Sequence, residues 1–429
     1  MHVEIQSNAL QRFLASTGDY FIAAGLSFCL LWSGSLLGAI AIYGALIALS
    51  SQLAFITHSI SDYRQKFTQP HIVYYNIRLT FSMAVLLLAL LHRDLSLLEV
   101  PAKCLVVAFF VTFTMPQHRW STLVIGTGFG AITSFFAAVY QIQLEDVVRP
   151  GVGTNPIRFG MISLTFAAIC AVGVVHSTGR WHVTVIATGG LLSGTANAFL
   201  SGTRGALIAI PLQLLLLAPA LWRKSRAAFL TAAACTIVFI GAMIASDAGY
   251  VASRVESAYS GLSMLVLGQD ASDNAAVGDR AKLVALAIQL FEKSPIIGVG
   301  SAGWEDAVAS STKALNPDKN LSAPFNQAHN QYLNDLATGG LLRCLANLVL
   351  LFAPIYLFSK FHPFQDRAES KFSLAGLIVS VSYGTYCLTE SLMILPLSAV
   401  IHSTLVCYLL CGCIEAKSCP LDRRGPQEC

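Results

Sequence analysis

The chain has 429 residues, of which 55% are hydrophobic and only 12% charged. An ordinary soluble domain carries roughly 25% charged residues, so the composition excludes a soluble protein and predicts an all-α, polytopic integral membrane protein. The 27 Lys and Arg against 23 Asp and Glu leave a formal net charge of +4, too small and too scattered for a nucleic-acid surface.

A membrane-crossing helix needs about 20 mostly apolar residues, and such runs recur about twelve times. They fall near 18–34, 37–57, 74–91, 102–115, 121–140, 157–178, 182–200, 204–222, 228–246, 333–358, 372–391 and 394–413. The first two are separated only by Trp32-Ser-Gly-Ser35. The amino end is polar through Thr17 and leads directly into paired apolar runs, so no cleavable signal peptide is expected. Short loops rich in Lys and Arg stay in the cytoplasm. Placing both termini there collects most of the basic residues on that side, including Arg119, Arg180, Arg223, Lys224 and Lys371. The opposite short loops hold only Arg93, Lys103, Arg149, Arg158 and Arg204.

The organisation predicted is nine spans over 1–246, a periplasmic loop over 247–328, three more spans over 329–413 and a cytoplasmic tail over 414–429. The loop is far longer than a connector requires. Within it, Asp279–Lys293 has strong helix formers with Leu283, Leu286, Leu290 and Phe291 on one face, and it ends at Ser294-Pro295. This reads as an interfacial helix lying against the membrane or the bundle. Gly298, Gly300 and Gly303 then predict close backbone packing or a mobile lid. Seven of the eleven cysteines lie in apolar stretches and four at the carboxyl end, a distribution that argues against a disulfide framework.

The candidate chemistry follows in chain order. Arg158, in Thr154-Asn-Pro-Ile-Arg158, enters a span behind Asn155 as N-cap and Pro156 at the first helical position. Arg204, in Ser201-Gly-Thr-Arg-Gly205, starts another, with Ser201 or Thr203 as its cap. A cation in the first turn of a helix opposes the macrodipole unless an anion is near, and free N–H groups with arginine suit a diphosphate. The alternative is an arginine snorkelling to the interface. Arg254 reads as a loop residue or a further anion contact, and Arg280 as either a local ion pair with Asp279 or an anion contact.

His329, in Gln327-Ala-His-Asn-Gln-Tyr-Leu333, stands where the loop re-enters the membrane. A neutral imidazole is a candidate general base for a hydroxyl nucleophile, with Asn330, Gln331 or Tyr332 orienting it or the substrate. Glu390, in Thr389-Glu-Ser-Leu392, is an acid at the end of a span, and charges at membrane depth usually have a partner. An arginine partner and a site role are both open. No nucleotide-binding loop, zinc motif, D-x-D pair or close carboxylate pair is present, and neither a metal nor a cofactor is expected.

Three ordered segments resemble the O-antigen ligase and polymerase superfamily of bacterial membrane glycosyltransferases. They are Ser201-Gly-Thr-Arg-Gly205, then Arg280 through Phe291 to Pro295-Ile-Ile-Gly-Val-Gly300, then His329-Asn-Gln-Tyr-Leu333 followed by Gly339-Gly-Leu-Leu342. The resemblance covers about residues 150–345. Arg343 departs from it, standing where the family pattern usually has glycine.

The resemblance implies a GT-C-like fold in a Gram-negative inner membrane and a reaction on the periplasmic face. A glycan moves from an undecaprenyl-diphosphate-linked O-antigen donor to a lipid A-core acceptor, with membrane lipid the further partner. A diphosphate leaving group needs positive charge where negative charge grows. Arg204 and Arg280 are the candidates, with Arg158 third; His329 is the candidate base, and inversion at the anomeric carbon is expected. Polymerases and protein O-oligosaccharyltransferases share the motifs. A transporter of the same lipid is the competing class, because arginines near a cavity also bind a diphosphate without catalysis. The two halves show no visible repeat, and the polar residues cluster at the outer face, which favours the enzyme.

Overall fold

The structure, a computed structural model, describes residues 18–32, 34, 38–40, 69–114, 118–176, 180–227, 229–230, 234, 275–315 and 327–418. Among these every regular element is helical, and eight helices are long and apolar enough to cross a membrane. The protein is an all-α, multi-pass membrane protein.

A helical stretch at 18–28 precedes α1 (Pro70–His92), which starts with proline and closes at Arg93, whose backbone is left-handed. Helix α2 (Glu99–Phe109) is extended at both ends by tighter and wider turns into a span over Leu95–Phe113. Then come α3 (Trp120–Leu144), α4 (Pro156–Val175), α5 (Trp181–Leu200) and α6 (Arg204–Lys224), the last interrupted at Ile208. As the sequence predicts, the Asn155 side chain accepts from Ile157 N and Pro156 opens α4. The cap of α6 differs: neither Ser201 nor Thr203 caps it. Ser201 Oγ donates to Ala198 O and Thr203 Oγ1, and Thr203 Oγ1 donates to Pro156 O at 3.0 Å. The hydroxyls therefore tie the start of α6 to the start of α4.

After α7 (Ala275–Lys293) and α8 (Gly300–Leu315) come α9 (Gln331–Ser359), α10 (Ser370–Tyr386) and α11 (Pro396–Ser418). Nearly all of α11 is buried, as are most of α4 and α10, so these form the centre. Helices α1, α3, α5, α6 and α9 each turn apolar side chains outward, Met83, Phe136, Leu192, Leu215 and Val349 among them, as helices facing lipid do. Small residues let α3 and α5 approach closely: a Cβ on Gly190 would lie 2.6 Å from Gly128 Cα. Spans expected near 37–57 and 228–246 lie almost wholly outside the described residues, as do 247–274 and 316–326 of the long loop. The described cysteines are buried thiols within the bundle.

The loop helix lies against the bundle. Leu283, Ala287 and Leu290 of α7 join Trp304 and Val308 of α8 and Ala328 and Ala337 beside and within α9 in a small core of their own. The turn between α7 and α8 is bound into α9 where that helix is broken. Gly340 has φ 61° and ψ −160°, a conformation essentially reserved for glycine. The break releases buried backbone groups, and each left unsatisfied costs about 1–3 kcal/mol. Leu341 N donates to Pro295 O (2.8 Å), Leu342 N to Ile296 O (3.2 Å), and Val299 N to Ala337 O (2.9 Å). Gly298, with φ 66°, lies directly on the Thr338–Gly340 backbone. Gly298 thus provides close backbone packing, while Gly300 lies against the His92 side chain and Gly303 against that of Val299.

Arg343 is accommodated on the same helix. Its stem covers Gly339, its Nε lies 3.0 Å from Asp335 Oδ1, and Asn347 Nδ2 donates to Asp335 Oδ2 at 2.6 Å. The departure from the family pattern thus brings a cation to a buried acid.

Candidate active site

His329 sits immediately before α9 with φ 50°, in the left-handed region that a residue with a side chain seldom adopts. The next residue holds the helix start: Asn330 Oδ1 accepts from Leu333 N at 3.1 Å, and its Nδ2 donates to Leu388 O at 3.0 Å. The constrained turn aims the imidazole at the segment following α10. There Nδ1 of His329 meets Glu390 Oε2 at 3.1 Å, and the other carboxylate oxygen accepts from Gln327 Nε2. The His329 side chain is 19% exposed and that of Glu390 only 3%. A neutral imidazole that donates from Nδ1 to a carboxylate carries its lone pair on Nε2, which fixes the tautomer a general base requires.

The sequence offered Glu390 an arginine partner, and one is nearby. Arg158, half-buried in the first turn of α4, attracts Glu390 electrostatically. Arg204 is exposed at the start of α6. Gly205 beside it lies against Thr389, where a Cβ would come 2.9 Å from Thr389 Cβ. The starts of α4, α6 and α9 and the turn after α10 therefore meet at one end of the bundle, with Arg158 near the His329–Glu390 pair and Arg204 next to the Gly205–Thr389 contact. Arg280 belongs to α7, but its side chain is outside the described residues, as is all of Arg254. The side chains of Asn330 and Tyr332 are engaged at the α9–α10 junction, the latter donating from Oη to Gly384 O at 2.8 Å.

Two features escaped the sequence reading, Arg149 and Arg78, and a third, Gln331, was read only as one of three residues able to orient His329 or the substrate. Arg149 donates from Nε to Ser201 O (3.0 Å) and from Nη2 to Gly202 O (3.3 Å), so it caps the carboxyl end of α5 and braces the turn leading to Arg204. Its place among the few basic residues on that side was the available signal. Gln331 is fully buried and links three segments: its N–H donates to Cys387 O, its Oε1 accepts from Met393 N, and its Nε2 donates to Asp335. Arg78 is buried within α1, bonded to Tyr74 Oη and His402 Nδ1. It lies about 14 residues, or roughly 20 Å of helix, from His92, which touches the α7–α8 turn through Ile297 O.

Comparison with known proteins bears on this end of the bundle. An uncharacterised protein of Haemophilus influenzae is 22% identical over 289 residues, covering 66% of this chain and 70% of that protein. Residues 189–348 match the family model described as O-antigen ligase. The matched segment takes in Arg204, α7, the turn bound into α9, and His329, while Arg158 and Glu390 are supplied from outside it. Residues 189–348 thus match the O-antigen ligase and polymerase superfamily.

Proposed function

We propose that the protein is an O-antigen ligase. It transfers O-antigen polysaccharide from undecaprenyl diphosphate to the lipid A-core oligosaccharide at the periplasmic face of a Gram-negative inner membrane. The observation that carries this reading is the His329–Glu390 pair, set beside Arg158 with Arg204 at the same end of the bundle, within and around the O-antigen ligase segment. Both termini are cytoplasmic in this reading, and the basic clusters at the end opposite His329, Arg119 and Lys224 among them, agree with it.

In the proposed step, Nε2 of His329 accepts the proton of the acceptor sugar hydroxyl. The hydroxyl oxygen forms a bond to the anomeric carbon from the face opposite the diphosphate. The anomeric C–O bond breaks, and its electron pair leaves with undecaprenyl diphosphate. The configuration inverts, because one displacement occurs. Arginines meet the charge that grows on the leaving oxygen: Arg204 and Arg280 act as the primary contacts and Arg158 supports them. Glu390 acts through His329, holding the tautomer and stabilising the imidazolium formed in the transition state.

The test is reconstitution of purified protein with the lipid-linked O-antigen and lipid A-core in the presence of EDTA, scored as a lipopolysaccharide ladder. A ladder is expected, lost in His329→Ala and reduced about 100-fold or more in Glu390→Gln. Lengthening of the lipid-linked glycan without transfer would instead establish a polymerase. Retained anomeric configuration, or full activity in His329→Ala, would refute the mechanism.

A further inference from the structure

The His329–Glu390 pair joins two segments separated by α9 and α10, so its geometry depends on how the start of α9 is fastened to the turn after α10. Gln331 makes that fastening. Its backbone N–H donates to Cys387 O at 2.8 Å, and its side-chain Oε1 accepts from Met393 N at 2.7 Å. It therefore grips the turn on both sides of Glu390.

The side-chain amide has one orientation compatible with these bonds, because the oxygen must face Met393 N–H and the nitrogen must face an acceptor. That acceptor is Asp335 Oδ1, at 2.9 Å. Asp335 is held in turn by Asn347 Nδ2 and by the charge of Arg343. Gln331, Asp335 and Asn347 are all buried, so each of these bonds is formed away from water, where a missing partner is costly.

We infer that Gln331, oriented by Asp335, is a positioning residue that sets the approach of Glu390 to His329 and thereby the aim of the imidazole at the acceptor hydroxyl. The inference rests on the reading of His329 as the base. A purely structural role for the network, offsetting the burial of Arg343, is the alternative the experiment must separate.

Gln331→Met preserves length and volume and removes both side-chain bonds. In the full-length protein reconstituted with donor and acceptor, kcat is expected to fall about 10- to 100-fold, the cost of a displacement on the order of 1 Å, with the KM values unchanged. In a Glu390→Gln background the same substitution is expected to add no further loss, because the group it positions no longer acts. Multiplicative losses, or raised KM with a lowered thermal midpoint, would overturn the inference in favour of a structural role. Asp335→Asn should reproduce the kcat loss; if that variant does not insert, the Gln331 and Glu390 cycle decides alone.

A second measurement needs no glycan. Carbethoxylation of His329 by diethyl pyrocarbonate, followed by mass spectrometry of its peptide, should change rate at fixed pH to the same level in Gln331→Met, Glu390→Gln and the double variant. An unchanged rate in Gln331→Met would overturn the inference. If that pattern is found while the wild-type protein transfers no glycan, the ligase reading fails and the positioning role stands.

Discussion

Replacing Gly340 by alanine tests whether the break in α9 is held by the α7–α8 turn. The backbone at Gly340 has φ 61° and ψ −160°, and residues other than glycine held in such regions cost about 1–3 kcal/mol. The added Cβ would also press on the Ile296 carbonyl and lie 2.6 Å from Ile297 N. The turn must then move away, and with it go the bonds from Leu341 N to Pro295 O and from Leu342 N to Ile296 O, about 1 kcal/mol each. Together these amount to about 3–5 kcal/mol, a large part of the 5–15 kcal/mol typical of a folded protein. The loss should appear as undocking of residues 294–300 rather than global unfolding. Hydrogen exchange at Val299, whose amide donates to Ala337 O, is the direct assay, and transfer activity should fall with it. Unchanged protection at Val299 in a well-inserted Gly340→Ala protein would refute the reasoning.

Two further predictions concern buried charge. Arg343→Leu should destabilise the protein by about 3–5 kcal/mol by leaving Asp335 buried without its cation, and Asp335→Asn in the same chain should recover most of the loss; additive losses by thermal unfolding would contradict the pairing. His118, between α2 and α3, has acceptors on both ring nitrogens, Glu415 Oε1 at 2.7 Å and Val111 O at 3.1 Å, which only the imidazolium can satisfy together. Burial alone would lower its pKa, but the Cys411 and Glu415 side chains hold it well above the usual value. The folded pKa thus exceeds the unfolded one, so this stabilisation is complete below about pH 6.5 and is lost as pH rises through the folded value. The thermal midpoint should decline with rising pH, and Glu415→Gln should flatten that dependence; a flat wild-type curve would count against it.

Hydropathy made the spans legible because each helix must satisfy its own backbone in lipid, and a run of apolar residues is the direct record of that requirement. Caps were legible where the decisive bond is local, as at Asn155, and illegible where it is not. Ser201 and Thr203 carry the right side chains for capping, yet bond to Ala198 and Pro156, because α4 lies closer than the first turn of their own helix needs them. His329, Arg158 and Arg204 were singled out as candidates from residue type and position. The partner of Glu390 was not, since contact between residues 329 and 390 depends on how α9 and α10 pair. Gln331 was legible only as one of three residues that could orient His329 or the substrate, because an amide reveals its role only through its neighbours. The break at Gly339-Gly340 was hidden within a span whose average hydropathy reads as one straight helix.

That break makes the turn between α7 and α8 a partner in α9 itself. Part of the hydrogen bonding that α9 needs comes from Pro295 and Ile296, residues that enter the chain well before α9 is synthesised. The span is therefore complete only after the preceding loop has folded back onto it. A segment exchanged between related proteins in place of α7 and α8 would have to match the break in its own α9.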